Sequence, residues 1–137
     1  MVEFSIVYKG GLRCEAVHGP SGAILPTDAP TDNLGRGEAF SPTDLCATSL
    51  GTCMVTTMAI YAERKGFEFP AGAALAVRKI MTSTPPRRIA RIEADITVPL
   101  PEGHPERAEL ERVARNCPVA LSLHPDIEQV LIFRWVG

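Results

Sequence analysis

Two cysteines carry the reactive chemistry that the sequence offers. Cys53 stands in "GTCMV", inside an uncharged run from 45 to 62 that lies between Asp44 and Glu63. A thiolate, not a thiol, is the nucleophile, and apolar burial disfavours the charged form. Unaided, Cys53 reads as a small apolar core residue, since free cysteine is among the most buried residue types. To react it needs a positive group nearby. Its own segment supplies none, because the nearest cations in sequence are Arg36, Arg64 and Lys65. A strand must bring the charge. Arg13, flanked by Leu12 and Cys14, is the candidate, with an exposed strand arginine as the bland reading. Cys117 precedes Pro118, which places it at the N-cap of a short helix. Free N–H groups and the helix dipole favour a thiolate there, which makes Cys117 the more acidic thiol expected from local features.

The other ligand-type residues form no pattern of comparable strength. Cys46 lies seven residues before Cys53 on the same helix face and reads as core filler. Cys14 alternates with Arg13 to the opposite strand face. His18, His104 and His124 are far apart, each beside a turn or proline. With Cys53 and Cys117 they compose a zinc set only without the closely spaced ligand pair such sites use, so no metal is expected. No nucleophile elbow, phosphate loop or dinucleotide fingerprint occurs.

The elements that must position these residues can be read in order. Residues 2–9 alternate as a strand. Turn signals at Gly10-Gly11 and around Gly19-Pro20-Ser21-Gly22 separate two more strands near 12–18 and 22–26. A loop rich in Pro, Asp and Gly fills 26–41. "SPTD" then sets Ser41 at an N-cap, Pro42 at N1 and Asp44 at N3, a capping-box pattern. The helix runs to about residue 65 and Gly66 closes it at C′. It is apolar almost all round, which predicts a central, fully buried helix. Strands follow at 75–84 and 89–98, joined at Pro85-Pro86. In the second, Ile92, Ala94, Ile96 and Val98 face one way and Arg91, Glu93, Asp95 and Thr97 the other. A charged amphipathic helix spans 105–116, a short helix runs from Pro118 to about 123, and "IEQVLIFRWV" is the last strand. The order βββ-α-ββ-α-β predicts an α+β fold in one domain, 1–137.

Composition sets the outer bounds. The 137 residues are 45% hydrophobic and 22% charged, with a formal charge of −2. That is globular composition and favours neither a nucleic-acid groove nor a membrane surface. The run 45–62 is long enough to raise the question of a membrane span, yet it holds six Thr, Ser and Gly residues and reads as a helix inside protein. "MVEFSIVYKG" lacks the basic and apolar regions of a signal peptide, so a cytoplasmic protein with thiols reduced at rest is expected.

"GEAFSPTDLCATSLGTCMVTTMAIYAERKG" resembles the central helix of the OsmC/Ohr family, the osmotically inducible protein C and organic hydroperoxide resistance proteins. "NCPVALSL" resembles that family's second-cysteine motif, and the element order agrees over nearly the whole chain. The resemblance implies antiparallel sheets wrapped around the long helix in an intertwined homodimer, with active sites at its interface. It implies a cofactor-free, thiol-dependent peroxidase acting on organic hydroperoxides. Cys53 is then the attacking thiol, Cys117 resolves it as a disulfide, and Arg13, after "KGG", stabilises the thiolate and orients the peroxide. Met54, Met58 and Phe40 are candidates for holding the alkyl part, and a thiol reductant, dihydrolipoyl groups in this family, restores the site.

One departure marks this chain as closer to the OsmC-like branch. Where the family glutamate that pairs with the arginine follows the proline, this chain has Thr43, and the acid comes one residue later at Asp44. One helical step turns a side chain by roughly 100°. Thr43 and Asp44 are therefore secondary site candidates. The alternative reading is a non-catalytic OsmC-like module that senses redox state or binds a small ligand.

Overall fold

The computed structural model describes all of residues 1–137. The chain divides into two compact units, residues 1–46 and 47–137. The first is an antiparallel meander of β1 (Phe4–Gly10), β2 (Arg13–His18) and β3 (Ile24–Asp28). A bulge between Tyr8 and Gly10 ends the β1–β2 ladder. There Gly10, Gly11 and Leu12 all take positive φ, the backbone that reverses the chain into Arg13. In the β2–β3 ladder Arg13 lies opposite Asp28. A single 3-10 turn, Thr31–Asn33, follows. Gly35 packs so close to Ala29 that a Cβ would fall within 1.6 Å of its carbonyl oxygen, so this fold of the loop admits no side chain there.

The long helix α1 (Pro42–Lys65) begins in the first unit and continues in the second. Its start is the capping box that the sequence announces. Ser41 N–H donates to Asp44 Oδ2 at 2.9 Å, and Asp44 N–H donates to Ser41 Oγ at 3.1 Å. Its end is a Schellman motif. Gly66 takes φ +83°, its N–H reaches Glu63 O at 3.2 Å, and Phe67 N–H reaches Ala62 O at 3.1 Å.

In the second unit α1 is followed by β4 (Ala74–Met81), β5 (Ile89–Val98), α2 (Arg107–Arg115), α3 (Pro118–Ser122) and β6 (Glu128–Trp135). The sheet order is β4-β5-β6. Here an expectation needs correcting: β4 and β5 are antiparallel, but β6 runs parallel to β5, so this sheet is mixed. A parallel neighbour needs a crossover, and the segment holding α2 and α3 is long enough to make one. The core is built from Leu50, Met54 and Met58 of α1, Ile92, Ile96 and Val98 of β5, and Leu110 of α2, all fully buried. Each such side chain contributes about 1.5–3 kcal/mol. The opposite face of β5 carries ion pairs: Glu93 with Arg78, and Asp95 with Arg134 through two bonds of 2.8 and 2.9 Å.

The expected all-round burial of α1 is also corrected. From residue 47 onward its buried positions are Ala47, Leu50, Gly51, Met54, Met58 and Ala62, a single stripe at helical spacing. Thr52, Thr56 and Ile60 are exposed. The helix is apolar on more faces than one chain can cover. At Gly51 the helix lies close to the sheet, so that a Cβ would meet Val77 Cγ2 at 2.9 Å.

Candidate functional site

Cys53 rides on α1, one residue before the buried Met54, and this places its side chain at the edge of the packed stripe. It is half-buried, so its sulfur is neither sealed in the core nor fully in solvent. Cys117 is brought to the same place by the α2–α3 junction and is fully buried. The Cys117 thiol lies beside the thiol of Cys53, near enough for the two to interact, and both thiols are free. The second element of the site is thus supplied by a residue far along the chain.

Local structure fixes Cys117. It is the N-cap of α3, with Pro118 at N1, and its sulfur accepts the N–H of Ala120 at 3.4 Å. The expectation that this position makes Cys117 the more acidic thiol is overturned. Burial pushes its pKa up and outweighs the opposing bond from Ala120, and the contact with Cys53 pushes the same way. Helix α3 has only five residues, a short dipole against complete desolvation. The reachable thiol is Cys53, and Cys117 is held protonated behind it.

The hydroxyl of Thr57, one turn along α1, lies 3.9 Å from the Cys53 sulfur. Thr57 is a contact that sequence reading missed, although its i+4 spacing was the available signal. Met54 and Met58 prove to be fully buried core, not the lining of an open alkyl site. Phe40 is half-exposed in the first unit.

Residues 1–46 hold Arg13. Its guanidinium pairs with Glu38 Oε2 at 3.0 Å. Glu38 is in turn fixed by its backbone, whose N–H donates to Oδ2 of the buried Asp28 at 3.1 Å. The carboxylate that meets Arg13 therefore comes from the loop before α1. Of the two secondary candidates, Asp44 closes the capping box, and the Thr43 hydroxyl lies 3.3 Å from Ser41 Oγ. Sequence reading missed Glu38 because it lies ahead of the proline, where the family pattern offers no acid. Cys14 lines an apolar cavity of about 610 Å³ with Phe4, Ile6, Leu25 and Leu45. The histidines serve their own turns: His18 bonds Ser21 Oγ, His104 accepts from Glu106 N–H, and His124 from Asp126 N–H.

A family model described as OsmC-like protein matches residues 35–130. No curated protein matches the sequence. Among solved structures, a Psychrobacter arcticus 273-4 protein, named for osmotic stress induction and a detoxification response, is 41% identical, with 98% of this chain and 96% of that one covered and a TM-score of 0.90. An organic hydroperoxide resistance protein OsmC from Legionella pneumophila is 14% identical, with 98% and 96% covered and a TM-score of 0.76. An organic hydroperoxide resistance protein from Elizabethkingia anophelis is 13% identical, with 99% and 96% covered and a TM-score of 0.75. The last two establish likeness of fold.

Proposed function

This chain belongs to the OsmC-like protein family, and on that premise we propose that it is a cysteine-based, thiol-dependent peroxidase that reduces organic hydroperoxides through a Cys53–Cys117 disulfide cycle. The observation that carries this reading is the proximity of a half-buried Cys53 thiol to a buried Cys117 thiol. The Legionella and Elizabethkingia proteins, named for hydroperoxide resistance, share the fold and lend support.

The Cys53 thiolate attacks one oxygen of ROOH, the O–O bond breaks, and the alkoxide leaves with a proton as ROH. Cys53 is then a sulfenic acid, oxidised by two electrons. Cys117 attacks that sulfur as a thiolate. The S–O bond breaks, water leaves, and the disulfide forms. Two electrons and two protons from a dithiol reductant, a dihydrolipoyl group by family resemblance, restore both thiols. The raised pKa of Cys117 suits the order of events, because a protonated Cys117 does not compete for peroxide. The resemblance gives Arg13 the stabilisation of charge on the attacking thiolate and peroxide.

A homodimer is the form proposed. The first sheet leaves Phe4, Ile6, Ile24 and Leu25 exposed, a set of large apolar side chains that association would cover. Light scattering at micromolar concentration should give twice the chain mass, and a monomer would remove this part of the proposal.

The central test adds one equivalent of cumene hydroperoxide to reduced protein and maps disulfides by mass spectrometry. A Cys53–Cys117 link is expected, absent in Cys53→Ser. Four free thiols after exposure would sink the reading. Peroxide consumed in excess of protein with a dithiol present separates an enzyme from a redox sensor, which would stop at one equivalent.

A further inference from the structure

We propose that the Thr57 hydroxyl is a catalytic hydrogen-bond donor to the sulfur of Cys53. The inference deepens the peroxidase reading and rests on it for the word catalytic. The hydrogen bond itself stands on the geometry of residues 47–137.

Threonine in a helix has two places to put its hydroxyl. The usual one is the carbonyl one turn back, and Thr52 does this, donating to Thr48 O at 3.1 Å and Ser49 O at 3.2 Å. Thr57 is built differently. Its Oγ1 lies 3.9 Å from Cys53 Sγ, a separation that the large sulfur radius allows for a hydrogen bond. Its side chain is half-buried, as is that of Cys53. The two groups thus share a partly desolvated edge where water is a poor substitute for a fixed donor.

The partners of the Cys53 sulfur make the hydroxyl matter. They are the Thr57 hydroxyl and the Cys117 thiol. Either can donate to a thiolate, but their availability differs. Cys117 must give up its proton when it attacks the sulfenic acid. Thr57 keeps its proton at every working pH and remains a donor throughout. A bond to the charged form of an acid stabilises that form. Thr57 therefore supplies the Cys53 sulfur with a fixed donor from within the same helix, in a segment where no cation stands within a turn in sequence.

The test uses the full-length reduced protein and iodoacetamide, with site-resolved alkylation of Cys53 followed by mass spectrometry across pH 5–10. No peroxide is needed, so the outcome is independent of whether the protein turns peroxide over. Thr57→Val, which keeps the shape and removes the hydroxyl, should slow Cys53 alkylation at pH 7 by up to about tenfold. Thr57→Ala should repeat the loss, and Thr57→Ser should retain the wild-type profile. Superposable profiles for wild type, Thr57→Val and Thr57→Ala would overturn the proposal. So would a Thr57→Ser loss equal to that of Thr57→Val, because the lost methyl group would then be the cause. A wild type that shows the Thr57 dependence but does not consume hydroperoxide would refute the peroxidase reading and leave the donor role standing.

Discussion

The thiol of Cys117 lies beside the thiol of Cys53, and it does so from the N-cap of a five-residue helix while completely buried. Three properties follow from one placement. The sulfur is the neighbour of the Cys53 thiol, it closes the first turn of α3 by accepting from Ala120, and burial pushes its pKa up.

The capping role predicts a split between two substitutions. Cys117→Ser keeps an acceptor for the Ala120 N–H, and Cys117→Ala does not. Equilibrium urea unfolding of the reduced proteins should find Cys117→Ala less stable than Cys117→Ser by about 1 kcal/mol. Equal midpoints and slopes would show that the sulfur does no capping.

Burial raises the Cys117 pKa above that of an exposed thiol, which sets a pH dependence. Below the unfolded thiol's pKa both states are protonated and this group leaves stability unchanged. As pH rises through that value, about 8.5, the unfolded state loses its proton first. The folded state then binds more protons than the unfolded, and stability falls with rising pH. Denaturant midpoints of reduced protein should decline from about pH 8.5 upward, and the decline should be smaller in Cys117→Ser. A slope that is identical in the two proteins would contradict the assignment.

Arg13 and Glu38 form an ion pair whose side chains are 36% and 54% exposed, too exposed for much stability. Under the proposed function its use is to orient the guanidinium. If the protein reduces peroxide as proposed, Glu38→Gln should change unfolding free energy by less than about 1 kcal/mol and yet slow that reduction several-fold, approaching the loss expected in Arg13→Lys. Full activity in Glu38→Gln alongside a slow Arg13→Lys would show that Arg13 is oriented without this carboxylate.

Tyr61 donates to Glu106 Oε2 at 2.6 Å, a bond from α1 to the residue before α2. The bond to Glu106, with burial and the neighbouring negative charge, pushes the tyrosine up to about 12. Ultraviolet titration should resolve a late phenolate component near that pH, lost in Tyr61→Phe and moved to lower pH in Glu106→Gln. An unmoved component in Glu106→Gln would assign the shift to burial alone.

Gly51 packs against the side chains of Val77 and Leu75 on β4. Alanine there gains helix propensity of about 1 kcal/mol, but its Cβ would meet Val77 Cγ2 at 2.9 Å, on a short branched chain that cannot swing aside. Overpacking at about 1–3 kcal/mol wins. Gly51→Ala should lower the thermal midpoint by a few degrees, and a rise would mean that β4 yields.

What the sequence determined by itself was local. Ser41, Asp44 and Gly66 fixed both ends of α1, because caps are satisfied within a turn of the chain. The alternation of Ile92, Ala94, Ile96 and Val98 fixed the buried face of β5 because strand side chains repeat every two residues. Cys117 at an N-cap was equally legible from Pro118. Tertiary structure alone decided the rest. The sign of the Cys117 pKa shift depends on total desolvation, which no neighbour in sequence reports. The pairing of β6 with β5 in parallel depends on the path of α2 and α3. The choice of Glu38 over Asp44 for Arg13 depends on how the loop folds back over Asp28. The contact between Cys53 and Cys117 is a through-space event between distant segments. Spacing along a chain encodes turns and faces, whereas the meeting of two thiols is set by which surfaces the folded core can afford to bring together.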